Sequence, residues 1–310
     1  MTLPQRLPEL SVVIPCYNEI ENIRSIVAAV TREAATHAAS HEIILIDNHS
    51  TDGTREAIAQ LCREDARVRG ILNNRNYGQM RSPTHGIYQA RGRAVIGMCA
   101  DFQDPPAMIG PFLKLWRGGA KVVLAQRRSE RASPLLSLAR RIGYGVLGRV
   151  ADYPVVPGAT GFGLFDRAVV DTLKQWREPE PFFRGMVIES GFALAMVPFD
   201  RPPRAAGETK NGFRTLLAFA LSGLSGSARS LLRLPIILSL WAFAAALMLA
   251  FAAIIGPTGR LLLLALVTAM FATLLLFLGL IGDQIRLIAE RTRGVPLVIE
   301  EARLNFPDMP

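Results

Sequence analysis

The sequence predicts an α/β domain, a mainly parallel sheet covered by helices, followed by a two-helix transmembrane hairpin. Three observations carry that prediction. Short apolar runs alternate with amphipathic ones over residues 10–126. Polar segments bearing carboxylates directly follow three of those runs. Two uncharged stretches lie nearer the C-terminus, each about 20 residues and so long enough as a helix to span the roughly 30 Å of a bilayer interior.

The apolar runs "LSVVIP" (10–15), "EIILID" (42–47), "VRGILN" (68–73), "AVIGMC" (94–99) and "KVVLAQ" (121–126) read as strands buried on both faces. Between them, 19–38, 52–65 and 78–92 have the apolar spacing of helices. Strands alternating with helices predict a parallel sheet with both faces covered. Residues 127–157 carry Arg127, Arg128, Arg131, Arg140, Arg141 and Arg149 among apolar residues, the pattern of an amphipathic helix at a membrane surface. A strand running into a helix is predicted over 161–176, and another strand over 192–200. A basic segment, "RPPRAAGETKNGFR", follows, and 215–234 reads as a helix lying at the membrane interface. The tail 294–306 predicts one short strand.

The uncharged stretches are 236–255 and 261–281, joined by "GPTGR". Arg229 and Arg233 precede the first, and Arg286, Arg291 and Arg293 follow the second, so both flanks are expected in the cytoplasm. The N-terminal region has no apolar signal segment, and the first 230 residues are expected to stay inside. Three cysteines without C-x-x-C spacing are expected to be reduced thiols. The net charge of +9 and pI near 10.1 would suit nucleic acid. Much of that charge, however, flanks the spans or falls in 127–149, where lipid headgroups or a phosphate substrate account for it, so no nucleic-acid partner is expected.

Ligands of parallel α/β sheets bind beyond the carboxyl ends of the strands. Three polar segments are predicted there: "CYNE", "DNHSTDGT" and "ADFQDPP". Asp101 and Gln103 stand two apart and would share one face of an extended segment, an oxygen pair suited to Mg²⁺ or Mn²⁺. Asp104 either binds such a metal through water or caps the helix that starts at the prolines. For Asp101, metal binding and plain turn chemistry are both open. Asp47, at a strand end, is placed to accept a hydrogen bond from a ligand, while Asp52 or Ser50 is a helix-cap candidate. Arg204 and Lys210 offer cations beside a glycine turn, suited to phosphate or to simple solvation. Four scattered histidines argue against zinc. The glycines of "GATGFG" (158–163) are in the wrong order for a dinucleotide loop.

In order along the chain, "VVIPCYNEIENI", "IDNHSTDGT", "NRNYGQM", "ADFQDPP", "GFGLFDRAVVD", "PFFRGMVIESGF" and "AGETKNGF" resemble family 2 glycosyltransferases, and more narrowly the polyisoprenyl-phosphate glycosyltransferases. The resemblance runs from about residue 10 through both apolar stretches. It implies a GT-A catalytic domain over 1–214, an interfacial helix over 215–234, the hairpin within 235–282 and a cytoplasmic tail over 283–310.

The resemblance further implies inverting transfer of a sugar from a nucleotide-sugar donor, a UDP-sugar, to undecaprenyl phosphate at the inner membrane. Pro15, Tyr17, Glu19 and Asp47 would line the nucleoside pocket, and Asp101 and Gln103 would hold Mg²⁺ or Mn²⁺, with Asp104 beside them in the catalytic turn. Arg127, Arg204 and Lys210 would meet donor or acceptor phosphates. Membrane lipids and further copies of the chain are the other partners implied. Three departures accompany it: Asn48-His49 in place of Asp-Gly, Cys99 in place of an aspartate, and Gly161 and Gly163 in place of Asp and Arg. The alternatives are transfer to another membrane lipid, whose hydroxyl would need a base such as Glu189, and a catalytically degenerate membrane scaffold.

Overall fold

The computed structural model describes residues 7–128, 159–202 and 259–306. Its strands are β1 (Leu10–Cys16), β2 (His41–Asp47), β3 (Val68–Asn73), β4 (Ala94–Gly97), β5 (Val122–Arg127), β6 (Ala159–Asp166), β7 (Leu194–Phe199) and β8 (Glu300–Leu304). Its α-helices are α1 (Ile23–His37), α2 (Thr54–Glu64), α3 (Gly78–Gln89), α4 (Ile109–Arg117), α5 (Arg167–Gln175), α6 (Phe183–Glu189) and α7 (Gly259–Arg293).

All eight strands form one sheet in the order β7-β5-β6-β4-β1-β2-β3-β8. The apolar alternation within strands divides the core between its two faces. Val12 and Ile14 of β1 and Ile43 and Leu45 of β2 pack with Ile26 and Val30 of α1, Ile58 of α2 and Phe112 of α4. Their neighbours Val13, Ile44 and Ile46 pack on the other face with Ile87 of α3, Val170 and Leu173 of α5 and Val187 of α6. Because side chains alternate across a strand, a run that is apolar at every position must be covered on both sides.

Strand direction decides where a ligand can bind. Strands β1, β2, β3 and β4 run parallel, β6 runs against β4 and β5, and β7 runs parallel to β5. The carboxyl ends of β1, β2, β3, β4, β5 and β7 therefore meet at one edge of the sheet, together with the amino end of β6. Within that edge β1 lies between β2 and β4, and the chain moves outward on either side of it, which opens a crevice.

Two features differ from the sequence reading, and a third expected one gains a partner. Strand β4 ends at Gly97 rather than Cys99, and residues 100–104 form turns and bends. Phe102 there has φ 61°, a left-handed conformation that ends an extended run. Asp101 and Gln103 thus stand in a tight turn, and the shared face expected of an extended segment does not apply. The short helix α6 has no counterpart among the predicted elements, since seven residues are too few for a periodic signal. Strand β8 forms where a short strand is expected, and its partner is the edge strand β3, antiparallel, about 230 residues away in sequence.

Helix α7 is 35 residues long and contains the second uncharged stretch. Leu262, Leu264, Val267, Phe271, Leu274, Leu278 and Ile285 along it are exposed. Counted over the described residues alone, no helix is long and apolar enough to cross a membrane. The first stretch, 236–255, and the interfacial helix expected at 215–234 lie outside the described residues.

Candidate active site

The loops after β1 and β2 are stitched together by side chains. Ser50 Oγ accepts the Asn18 N–H at 2.9 Å, Asn18 Oδ1 accepts the Thr51 N–H at 2.9 Å, and Thr54 Oγ1 accepts the Glu19 N–H at 2.9 Å. Asp52 accepts the Thr54 N–H at 3.0 Å and the Ile20 N–H at 3.2 Å and so tethers the β1 loop, but neither it nor Ser50 is the cap expected of α2, whose N-cap is Gly53, at φ 95°, with no side-chain cap bond. Glu19 accepts from the Asn22 amide at 2.9 Å. Tyr17 stands 40% exposed at the crevice and Pro15, in β1, is half-buried. The four residues expected at the nucleoside, Pro15, Tyr17, Glu19 and Asp47, thus lie on neighbouring strand ends.

Asp47 is 0% exposed. Its carboxylate accepts N–H bonds from His49 at 3.0 Å and Ser50 at 3.2 Å, and Arg55 Nε lies 3.3 Å away. Burial pushes its pKa up, against the hydrogen bonds from Ser50 and His49 and the Arg55 charge. Its oxygens hold the shape of the 48–50 loop, whose His49 adopts φ 68°. Asn48, one of the departures from the family pattern, serves a polar network that a sequence reading does not show. Its Oδ1 accepts the Tyr77 N–H at 2.8 Å and the Asn73 amide at 3.3 Å, and its Nδ2 donates to Asn76 at 2.8 Å. This ties the ends of β2 and β3 to the start of α3.

The opposite wall is the turn after β4. Asp101 and Asp104 are each 5% exposed. Asp101 Oδ1 accepts the Gln103 N–H at 3.1 Å, and Asp104 Oδ2 accepts the Cys99 N–H at 2.9 Å. The second bond corrects the expectation that Asp104 caps the following helix: the short 3₁₀ turn Pro106–Met108 has no side-chain cap, and Asp104 closes its own loop backward. Burial raises the Asp104 pKa, opposed by the Cys99 hydrogen bonds and the Arg201 charge, and the negative Asp101 nearby adds to the rise. Three non-glycine residues at positive φ, Asn18, His49 and Phe102, sit in these three loops. Such strain persists where the surroundings fix it, commonly at ligand sites.

On the far side, β5 and β7 end with Arg127 and Phe199 in register. Arg128 and Asp200 pair at 3.3 Å. Arg201 comes next, half-buried, and its Nε has no hydrogen-bond partner among the described residues. The sequence reading missed Arg201, although the rule that found the other loops, a polar residue just past a strand end, singles it out. Arg204 and Lys210 lie outside the described residues, as do the arginines from 131 to 149.

Two buried carboxylates thus share one turn with a carboxamide residue between them, and the Arg201 guanidinium is near enough for its charge to act on Asp104. A model of glycosyl transferase family 2 matches residues 11–173, which hold the β1, β2 and β4 loops just described. The chain belongs to glycosyl transferase family 2. It is 31% identical to an uncharacterized glycosyltransferase of Synechocystis over 94% of both chains. It is also 29% identical to an undecaprenyl-phosphate 4-deoxy-4-formamido-L-arabinose transferase of Pseudomonas fluorescens, over 97% of this chain and 92% of that one. A crystal structure described as a mycobacterial protein superposes with a TM-score of 0.50 at 17% identity, covering 72% of this chain and 76% of that one. The catalytic domain of this glycosyltransferase is thus an α/β unit of GT-A type. Among the described residues of the family 2 domain, no cluster of three or more His, Cys, Asp and Glu could hold a metal by itself. Mg²⁺ and Mn²⁺ ordinarily take one or two carboxylates and complete their shell with water and substrate phosphates. The buried Asp101 and Asp104 fit that use, since two adjacent carboxylates out of water call for positive charge.

Proposed function

We propose that this glycosyltransferase moves a sugar, with inversion, from a UDP-sugar to a polyisoprenyl phosphate, undecaprenyl phosphate, at the cytoplasmic face of the inner membrane. The relatives named for undecaprenyl phosphate and bactoprenol support the acceptor. The observation that carries the reading is the position of the end of α7. Residues 294–299 separate α7 from β8, and β8 begins with Glu300 opposite Asn73, at the carboxyl end of β3. The apolar helix therefore delivers the chain to the same sheet edge as Asp47 and Asp101, so a membrane holding α7 and its partner span 236–255 would face the site.

The chemistry needs few special groups. A phosphate monoester has a second pKa of about 6, so near neutrality the acceptor is largely a dianion and attacks without a strong base. What the site must supply is positive charge for the acceptor and for the leaving diphosphate. Arg127 and Arg201, at the ends of β5 and β7, and Arg204 and Lys210 just beyond are the residues we assign to that task. Asp101 and Asp104, with Gln103, would hold a divalent cation that stabilises the leaving diphosphate. Pro15, Tyr17 and Glu19 would receive the nucleoside, with Asp47 holding the loop beside it. Glu189 ends α6 on the way to the amino end of β7, the sheet edge opposite the site, which favours a phosphate acceptor over a hydroxyl needing that base.

The test is to incubate membranes containing the protein with a panel of radiolabelled nucleotide sugars, with and without added undecaprenyl phosphate, and to extract the lipids. Label entering the lipid fraction in proportion to undecaprenyl phosphate supports the proposal. Label passing to diacylglycerol, or to no lipid from any donor, sinks it.

A further inference from the structure

Strand β8 is gripped on both faces by charged residues, and one grip leads to the site. On the α3 face, Glu300 meets His85 at 2.5 Å and Arg303, which also bonds Gln89 at 2.9 Å. On the α2 face, Glu301 Oε2 lies 2.7 Å from the NH2 nitrogen of Arg55. The Nε of the same guanidinium lies 3.3 Å from Oδ2 of the fully buried Asp47. The segment leading into β8 is fixed as well. Gly294, at φ 60°, ends α7, the Pro296 carbonyl accepts from Arg81 at 2.9 Å, and the Ile299 carbonyl accepts the Asn74 N–H at 3.1 Å.

We infer that the chain Glu301–Arg55–Asp47 makes the C-terminal strand part of the donor site, with Arg55 a positioning residue whose orientation depends on Glu301. The inference rests on the proposed reading that the 47–50 loop borders the nucleoside. A guanidinium is a planar fork that can serve two carboxylates in fixed directions, which an ammonium cannot. Asp47 holds the loop through N–H bonds to His49 and Ser50, and the Arg55 charge 3.3 Å away joins those bonds in opposing the rise that burial gives its pKa. Glu301 is half-exposed, so its ion pair adds little stability by itself. Its effect is directional: it fixes one arm of the fork while the other faces Asp47. In this way the segment that leaves the apolar helix sets the shape of a loop at the crevice.

The experiment measures binding of uridine diphosphate and guanosine diphosphate by calorimetry to the full-length protein in detergent, with KM for the donor and kcat alongside. Arg55→Met should weaken nucleotide binding about tenfold or more and raise KM with kcat little changed, because one decade corresponds to the loss of a single charged contact. Glu301→Gln should act in the same direction, by about threefold, and Arg55→Lys should resemble it, since lysine keeps the charge beside Asp47 and loses the bridge. In an Arg55→Met background, Glu301→Gln should add nothing, as expected of a residue acting through its neighbour. An undiminished Glu301→Gln effect in that background overturns the inference, as does a fall in kcat with KM unchanged. Should Arg55→Met fail to fold, Arg55→Lys and Glu301→Gln still decide. If the unaltered protein binds neither nucleotide, the donor-site reading itself fails, and this inference with it.

Discussion

The Asp104 carboxylate accepts the Cys99 N–H at 2.9 Å and so closes the turn that carries Asp101. The same group is thus both a structural clasp and a buried charge beside a second carboxylate. The two roles separate by substitution, because an amide oxygen still accepts an N–H bond and carries no charge. Asp104→Asn should keep its thermal stability close to the parent and lose activity. Asp104→Ala should lose activity and also about 1–3 kcal/mol of stability, the cost of an unsatisfied buried donor. Equal melting temperatures for the two variants would dismiss the clasp.

Asp101 is the residue on which the metal assignment stands. Removing a ligand that bridges to a diphosphate forfeits several kcal/mol of charge stabilisation. Asp101→Ala should fold, insert into membranes and lose nearly all turnover, and Mn²⁺ should no longer tighten uridine diphosphate binding. Retention of about a tenth of parental activity or more, against the loss of 10³-fold or greater that several kcal/mol implies, would refute it.

What was legible in the sequence was what local composition determines. A short run apolar at every position, such as 43–46, bounded by polar residues reads as a strand covered on both faces. Polar residues directly after them, Asp47 and Asp101, could be assigned to a ligand edge before any topology was known. Partnerships between distant segments were not legible. Nothing in "IEEARLNF" states that it pairs with 70–73, and Arg55 sits on the polar side of an amphipathic helix where a charge normally means solvent. Asn48 stood out only as a departure, and its reason lies in Asn73, Asn76 and Tyr77, which the fold brings to it. The strand end at Gly97 was overrun because Met98 and Cys99 are apolar, and the turn is set instead by Phe102 and the Asp104 clasp.

The two glycine departures in β6 differ in kind. A Cβ built on Gly163 would stand 2.5 Å from the Val123 carbonyl oxygen and 2.9 Å from Leu124 Cδ2, whereas on Gly161 it meets nothing within 4 Å. Gly163 pairs with Gly97 of β4 and Leu124 of β5, so neither neighbour can withdraw without breaking the ladder. Gly163→Ala should cost about 1–3 kcal/mol, the usual penalty of overpacking. Gly161→Ala should be neutral within about 0.5 kcal/mol. Chemical denaturation of the two variants checks the contrast, and a stable Gly163→Ala protein would mean that β5 and β6 are less closely apposed.

Glu300 gives the docking of β8 a pH dependence. Burial would raise its pKa, but the hydrogen bonds from His85 and Arg303 hold it down at about 2, below the ordinary 4.5. A depressed carboxylate contributes stability that is complete above its unfolded pKa and is lost as pH falls toward the folded value. The melting-temperature gap between the parent and Glu300→Gln should therefore be full at pH 6 and shrink from about pH 4.5 downward. A gap that is constant down to pH 3 would show that the carboxylate charge does not hold the strand.

The final prediction concerns membrane orientation. Helix α7 exposes Leu262, Leu264, Phe271, Leu274 and Leu278, side chains that water would leave unburied and lipid would cover. Past this stretch, Arg286 pairs with Glu180 at 3.0 Å, which fixes that end of the helix beside the catalytic domain. The opposite end, at Gly259, then points away from the domain, and the "GPTGR" connector should emerge on the outer face. Burial and the Asp104 and Asp101 charges push the native Cys99 thiol well up, so it would react poorly, and a cysteine at the exposed Lys114 of α4 supplies the control for the catalytic side instead. In intact cells a membrane-impermeant thiol reagent should label Thr258→Cys and leave Lys114→Cys untouched, and after permeabilisation it should label both. Labelling of Lys114→Cys from outside would put the catalytic domain away from cytoplasmic nucleotide sugars and end the proposed function. Failure of Thr258→Cys to label from outside, with Lys114→Cys protected, would retain the transferase but place both ends of α7 on the cytoplasmic side, as an interfacial helix rather than a span.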